Sequence, residues 1–285
     1  MPTYFSQPRV QSARQVGTPL SRLIERLSFG AFSHMNKLPQ ITLAFWVMKI
    51  CATTLGETAG DLLSMTLNVG YAISSMILIS VFLVTLLTQL WSKTYNPVLY
   101  WIVILSTSTA GTTMSDFMDR TLGLGYAAGS MILIVILMII FALWRLSGDS
   151  LNVNKVQTFR GELFYWMAIL FSNTLGTALG DFLADDSGLG FAGGALLIGS
   201  AIALVVALKY FTQISSVLLF WVAFVLTRPF GATLGDFLTK PSEKGGLDFG
   251  TVGSSAVLAA VLVVMIAGAA YAQRRYGRSA IADVS

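Results

Sequence analysis

The sequence predicts an all-α integral membrane protein of eight transmembrane helices, arranged as four parallel two-helix repeats around a central axis. Three observations predict it. The 285 residues are 55% hydrophobic and only 11% charged, where soluble domains carry about 25% charge. Eight mostly apolar stretches, each about the 20 residues that a bilayer crossing needs, fill residues 42–272. A Gly-x-x-x-(Gly/Ser)-Asp motif closes every other stretch, running Gly56 to Asp61, Gly111 to Asp116, Gly176 to Asp181 and Gly231 to Asp236.

The N-terminal residues 1–40 are polar and basic. Leu20, Leu23, Ile24 and Leu27 share one helical face, so this tail reads either as a short interfacial helix or as a segment without fixed structure. No early apolar run marks a cleavable signal. The spans then follow at about 42–62, 71–91, 98–118 and 126–146 in the first half, and 163–183, 191–211, 215–237 and 251–272 in the second. Repeats 1 and 2 fall within 41–146 and repeats 3 and 4 within 161–273. A polar cytoplasmic linker at 147–160 divides them, and 274–285 form a second tail.

Each repeat opens on an aromatic-Trp pair: Phe45-Trp46, Tyr100-Trp101, Tyr165-Trp166 and Phe220-Trp221. These pairs read as an interfacial aromatic belt. Gly-aromatic opens the second helix of three repeats (Gly70-Tyr71, Gly125-Tyr126, Gly190-Phe191); the fourth has a five-residue insertion and reads Gly250-Thr251. Each unit crosses twice, so all four share one orientation, which favours parallel over inverted repeats.

Thirteen Lys and Arg flank the spans on the side of both termini, and three (Arg120, Lys240, Lys244) on the other. The positive-inside rule therefore puts both termini in the cytoplasm, of a bacterial inner membrane, with the motif aspartates near the outer ends. The net charge of +4 thus speaks of topology and not of nucleic acid. One Cys and one His exclude an internal disulfide and a Cys/His metal cage. No nucleophile–base or nucleotide-binding motif stands in a credible context, so no enzyme and no cofactor is expected.

Positions eight, four and zero before each Asp share one helical face. They read Thr53/Glu57/Asp61, Ser108/Thr112/Asp116, Asn173/Thr177/Asp181 and Arg228/Ala232/Asp236, with Thr54, Thr109 and Thr174 one residue after the first rung. Lipid cannot satisfy such a face, so it points inward, to water or to neighbouring helices. Lys49 lies on the first helix, about 18 Å below Asp61 at 1.5 Å per residue. Arg228 precedes Pro229, which is expected to kink the fourth motif helix. Both cations read equally as neutralisers of the carboxylates and as tethered competitors of a substrate cation.

The four-fold layout over 42–272, with Gly-Glu-Thr-Ala-Gly-Asp61 and its three relatives, resembles a family of bacterial integral membrane proteins of uncharacterised function. The chain is also similar in chemistry to manganese and calcium exporters with Glu-x-Gly-Asp motifs. Here Glu57-Thr-Ala-Gly-Asp61 has one more residue between Glu and Gly, and Leu62-Leu63 follows where those exporters have a basic and a hydroxyl residue.

Hard oxygen ligands suit manganese, magnesium or calcium. The expected function is transport of such a divalent cation, manganese first, exchanged for protons, with Glu57, Asp61, Asp116, Asp181 and Asp236 as the ligand set. Lys49, Thr53, Thr54, Ser108, Thr109, Thr112, Asn173, Thr174, Thr177 and Arg228 would line the pathway. Two other readings compete: a carrier for a small organic or cationic substrate, and a non-transporting scaffold whose polar ladders lock helices. The expected partners are the bilayer, the ion and protons, with a homo-oligomer left open. Glu57 is expected to matter most. Asp236 is expected to matter less, since its helix lacks the hydroxyl ladder.

Overall fold

A computed structural model describes residues 38–156 and 158–282, with side chains to residue 274. The interfacial helix expected in the N-terminal tail lies outside the described residues. Eight long helices run in order: α1 Leu43–Asp61, α2 Tyr71–Trp91, α3 Pro97–Asp116, α4 Tyr126–Leu146, α5 Phe159–Asp181, α6 Gly190–Phe211, α7 Ser216–Thr239 and α8 Thr251–Ala282. No strand occurs among the described residues.

Six of the eight are long and apolar enough to cross a membrane; α1 and α3 are not among them. Their polarity explains why. α1 carries Lys49, Glu57 and Asp61, and α3 carries the run Ser106-Thr-Ser-Thr-Ala-Gly-Thr-Thr113. Both are largely buried by their neighbours.

The four motif helices close a ring. α1 packs on α3, α3 on α5, α5 on α7, and α7 back on α1. The second helix of each unit packs mainly on the motif helix of the following unit: α2 on α3, α4 on α5, α6 on α7, and α8 on α1. The outer helices keep broad apolar faces exposed, such as Met131 and Met138 on α4 and Val263 and Val264 on α8.

The motif glycines make the ring tight. A Cβ on Gly56 would collide with Ser108, on Gly176 with Arg228, and on Gly231 with Thr53; on Gly111 it would lie 3.0 Å from Asn173. Each first glycine thus meets the residue eight before the next Asp. One turn on, a Cβ on Gly60 would lie 2.8 Å from Thr112 Cβ, and one on Gly235 2.9 Å from Glu57 Cβ. Backbones approach closely here because the side chain is absent.

Past Asp61, Asp116 and Asp181, one π-helical turn follows in each of the first three units: Leu62–Thr66, Phe117–Thr121 and Phe182–Asp186. The chain then reverses through a glycine with positive φ: 83° at Gly70, 73° at Gly125, 67° at Gly190 and 70° at Gly250. That backbone explains why the glycine recurs in all four units while the aromatic after it does not.

The aromatic-Trp pairs do not form an outward belt. Tyr100, Trp101, Tyr165 and Trp166 are buried. They interlock around the base of the ring: Phe45 with Trp101 (5.7 Å between centroids), Tyr100 with Trp166 (5.5 Å), Tyr165 with Trp221 (6.0 Å) and Phe220 with Trp46 (5.7 Å). Tyr100 and Tyr165 also share a 2.6 Å hydroxyl hydrogen bond. Aromatic position alone does not separate an interfacial ring from one turned inward; neighbouring motif helices cover these.

The half-boundary segment ends earlier than its polarity suggests, because Thr158 caps α5 by accepting from Gly161 N. It also packs back on the bundle: Val153 and Val156 are buried, and Trp221 donates to Leu151 O. At the C-terminus, α8 continues to Ala282, beyond the expected end of the span.

The glycine seam makes a direct prediction. Gly56→Val should lower stability in detergent by the ~1–3 kcal/mol of overpacking or more. Gly253→Ala, with nothing within 4 Å of its Cβ, should be neutral or stabilising. Thermal unfolding of both variants measures this; equal stabilities would show that the seam is not tight.

Candidate functional site

The polar stripes meet on the ring axis in layers. The deepest is built on Lys49, which is fully buried. Its ammonium donates to Asn173 Oδ1 at 3.3 Å and lies 4.1 Å from the centroid of the Phe224 ring. No carboxylate among the described residues lies within ion-pair distance of it. Asn173 in turn donates to Thr107 Oγ1 and Ser108 Oγ, so this layer joins α1, α3, α5 and α7.

Above it, Arg228 crosses the axis. It stands at the lower rung of α7, but its guanidinium reaches the middle rung of the other three motif helices. One terminal nitrogen donates to Glu57 Oε2 at 2.9 Å; the other donates to Thr112 Oγ1 and Thr177 Oγ1 at 2.6 Å each. Thr112 and Thr177 also lie 3.4 Å from Glu57 Oε2. Side-chain exposure is 0% for Arg228 and 3% for Glu57. Arg228 Nε is buried without a hydrogen bond. Ala232, the one middle rung without a polar group, leaves room for this crossing. Pro229 sits inside α7 without ending it.

The third layer holds the four aspartates in two pairs, each spanned by one cation. Arg120 is 3.0 Å from Asp116 and 3.4 Å from Asp181. Lys240 is 2.7 Å from Asp61 and 3.2 Å from Asp236. All four aspartates are buried, whereas Arg120 and Lys240 keep 30% and 20% of their side chains exposed. Arg120 and Lys240 each stand four residues past an aspartate, one helical turn on, where units 1 and 3 carry Met65 and Asp185.

The stripe residues therefore divide. Glu57, Thr112, Thr177 and Arg228 form the axial network, and Lys49, Ser108 and Asn173 the layer beneath. Thr54, Thr109 and Thr174 hydrogen-bond only their own helix backbone. Thr53 does the same and adds a seam bond to Thr227 O. Of the five expected ligands, Glu57, Asp61 and Asp236 come together, with one carboxylate oxygen each within 4.8 Å of the others. Asp116 and Asp181 form the separate pair under Arg120.

Two site residues escaped the sequence reading, Arg120 and Lys240. They count as topological charges until their spacing is read against the motif. A basic residue four after the Asp, in units 2 and 4 only, is the signal that finds them.

The model of the Repeat of Unknown Function (DUF347) matches residues 44–95, 99–150, 164–215 and 219–276. The chain belongs to the DUF347 repeat family. No curated protein and no solved structure matches it. Every DUF347 unit begins at the same point, seventeen residues before its Asp. The exceptions to the repeat are therefore true exceptions at fixed positions: Glu57, Arg228, Lys49, and the alternate cations Arg120 and Lys240.

Lys49 gives the sharpest energetic prediction. A buried ammonium without a carboxylate keeps most of its desolvation cost. Lys49→Met preserves length and apolar contact, removes the buried charge and should raise stability, by less than the full desolvation cost because Asn173 Oδ1 loses its donor. Chemical denaturation in mild detergent measures it. A clear loss of stability would mean that Lys49 has a compensating partner.

Proposed function

We propose that this protein is a carrier of a divalent cation, manganese being the best fit, across a bacterial inner membrane. In this reading all eight helices span, as four parallel units with both termini cytoplasmic. α1 and α3 tolerate the bilayer because the other helices cover them. The aspartate end faces outward.

The cluster Glu57, Asp61 and Asp236 carries the proposal. Three carboxylates within reach of one ion offer hard oxygen donors, the chemistry that suits manganese, magnesium or calcium. Arg228 offsets one negative charge. When Lys240 withdraws, two remain, which matches one divalent cation. Carboxylates so placed can also exchange a proton for the ion, which supports proton coupling.

Side chains interrupt the axis at three levels: the aspartate clamps, the Arg228–Glu57 pair and the aromatic ring. A channel needs a continuous path, so this arrangement favours a carrier in an occluded state. The mutual pairing of Arg228, Glu57, Thr112 and Thr177 at the axis also fits the scaffold reading, and flux separates the two.

Glu57→Gln alone is not a clean test, because it leaves Arg228 unpaired. Asp61 and Asp236 are better, and the cluster makes Asp236 as important as Asp61 despite the missing hydroxyl ladder of α7. In proteoliposomes, Asp61→Asn and Asp236→Asn should each cut manganese flux about 100-fold or more, beyond what losing an outer partner costs. Asp181→Asn should be milder. Equal, near wild-type flux from all three would remove the cluster from the mechanism. No manganese, magnesium or calcium flux in the wild type would favour the scaffold.

A further inference from the structure

We infer that the two cation clamps are not equivalent: Arg120 is a fixed plug, whereas Lys240 is a tethered occupant of the cation position that the transported ion must displace. This inference rests on the carrier reading and names how its site is guarded.

The starting point is symmetry. Arg120 and Lys240 hold the same place in units 2 and 4, and each ties its own Asp to the Asp of the next unit. Their surroundings differ. The Arg120 guanidinium also donates to Tyr71 Oη at 3.1 Å, and it lies 5.8 and 5.7 Å from the rings of Tyr71 and Tyr126. A planar guanidinium held by two aromatic rings, a hydroxyl and two carboxylates is fixed in place. Among the described residues, Lys240 Nζ meets the two carboxylates and, at 4.0 Å, Met65 Sδ. Its ammonium is a point charge on a flexible stem.

The backbone differs as well. Arg120 lies within the π-helical turn after α3. Lys240 lies just beyond the end of α7, before Pro241 and the loop that carries the five-residue insertion. That unit has no π-helical turn. A flexible lysine stem at the edge of a loop can swing outward without disturbing the helix ring.

The pairs beneath the two plugs also differ. Under Arg120 lie two carboxylates. Under Lys240 lies the three-carboxylate cluster with Glu57. Asp236 Oδ1 is buried and accepts no hydrogen bond, although Lys240 Nζ stands 3.2 Å away; Asp116 Oδ1 is left the same way under Arg120, so the third carboxylate, Glu57, is what sets the Lys240 side apart. A divalent ion takes oxygen ligands from several directions, whereas an ammonium is limited to its three N–H directions. The ion can therefore use the carboxylate oxygen that the amine leaves unbonded. One ion per chain enters, on the Lys240 side.

The test is equilibrium manganese binding to the purified full chain in detergent, read from the free-ion electron paramagnetic resonance signal. Wild type should bind one manganese per chain. Lys240→Met should bind the same number with affinity raised about tenfold, the worth of a modest ion pair. Lys240→Arg keeps the charge, should fold, and should weaken binding, because an arginine there becomes a second fixed plug. Unchanged affinity in both variants, with wild-type binding intact, would overturn the inference and leave the carrier reading standing. No manganese binding by wild type or Lys240→Met would overturn both.

Discussion

The Arg228–Glu57 pair ties all four motif helices to one point, and the rest of the interior is arranged around it. A guanidinium and a carboxylate taken out of water cost several kcal/mol each, and close contact with good hydrogen bonds is needed to offset this. Here the offset is shared. Arg228 comes from α7, Glu57 from α1, and the two threonine hydroxyls from α3 and α5. A well-packed hydrophobic set of equal volume often holds such a core as well or better. A buried pair at this place is therefore weak evidence of stability in itself.

That pair depends on close packing elsewhere. The glycine seam brings each motif helix against the next, and the aromatic ring clamps the opposite end. Both follow the four-fold repeat. The charges do not. Glu57, Arg228 and Lys49 each occur once, while Arg120 and Lys240 occur on alternate units. Duplication supplies a symmetric cage, and departures from symmetry supply a defined chemical interior. The two clamps lie on the most exposed layer of that interior.

Much of this was legible in the sequence, because the repeat fixes register. Four aspartates with four glycines and four tryptophans at constant spacing give the helix pairs. Positions eight and four before each Asp give the inward face. The glycines before the second helices give the turns, even in the fourth unit. Four things were not legible. Spacing along one helix does not reveal that Arg228 reaches one rung upward and across the axis. It does not reveal that Thr54, Thr109 and Thr174 return their hydroxyls to their own backbone. It also does not separate an aromatic ring that packs inward from one that meets lipid. The pairings of Arg120 and Lys240 span helices and appear only once the ring closes.

The account stands on the claim that Arg228 and Glu57 act as one unit at the axis. A double-mutant cycle on the stability of the purified protein tests this most directly. Arg228→Met alone and Glu57→Gln alone each remove a partner from a buried pair, so each should destabilise by about 3–5 kcal/mol. The double variant should recover most of that loss, giving a coupling energy of several kcal/mol. Additive losses, with the double variant as unstable as the two singles summed, would contradict the claim.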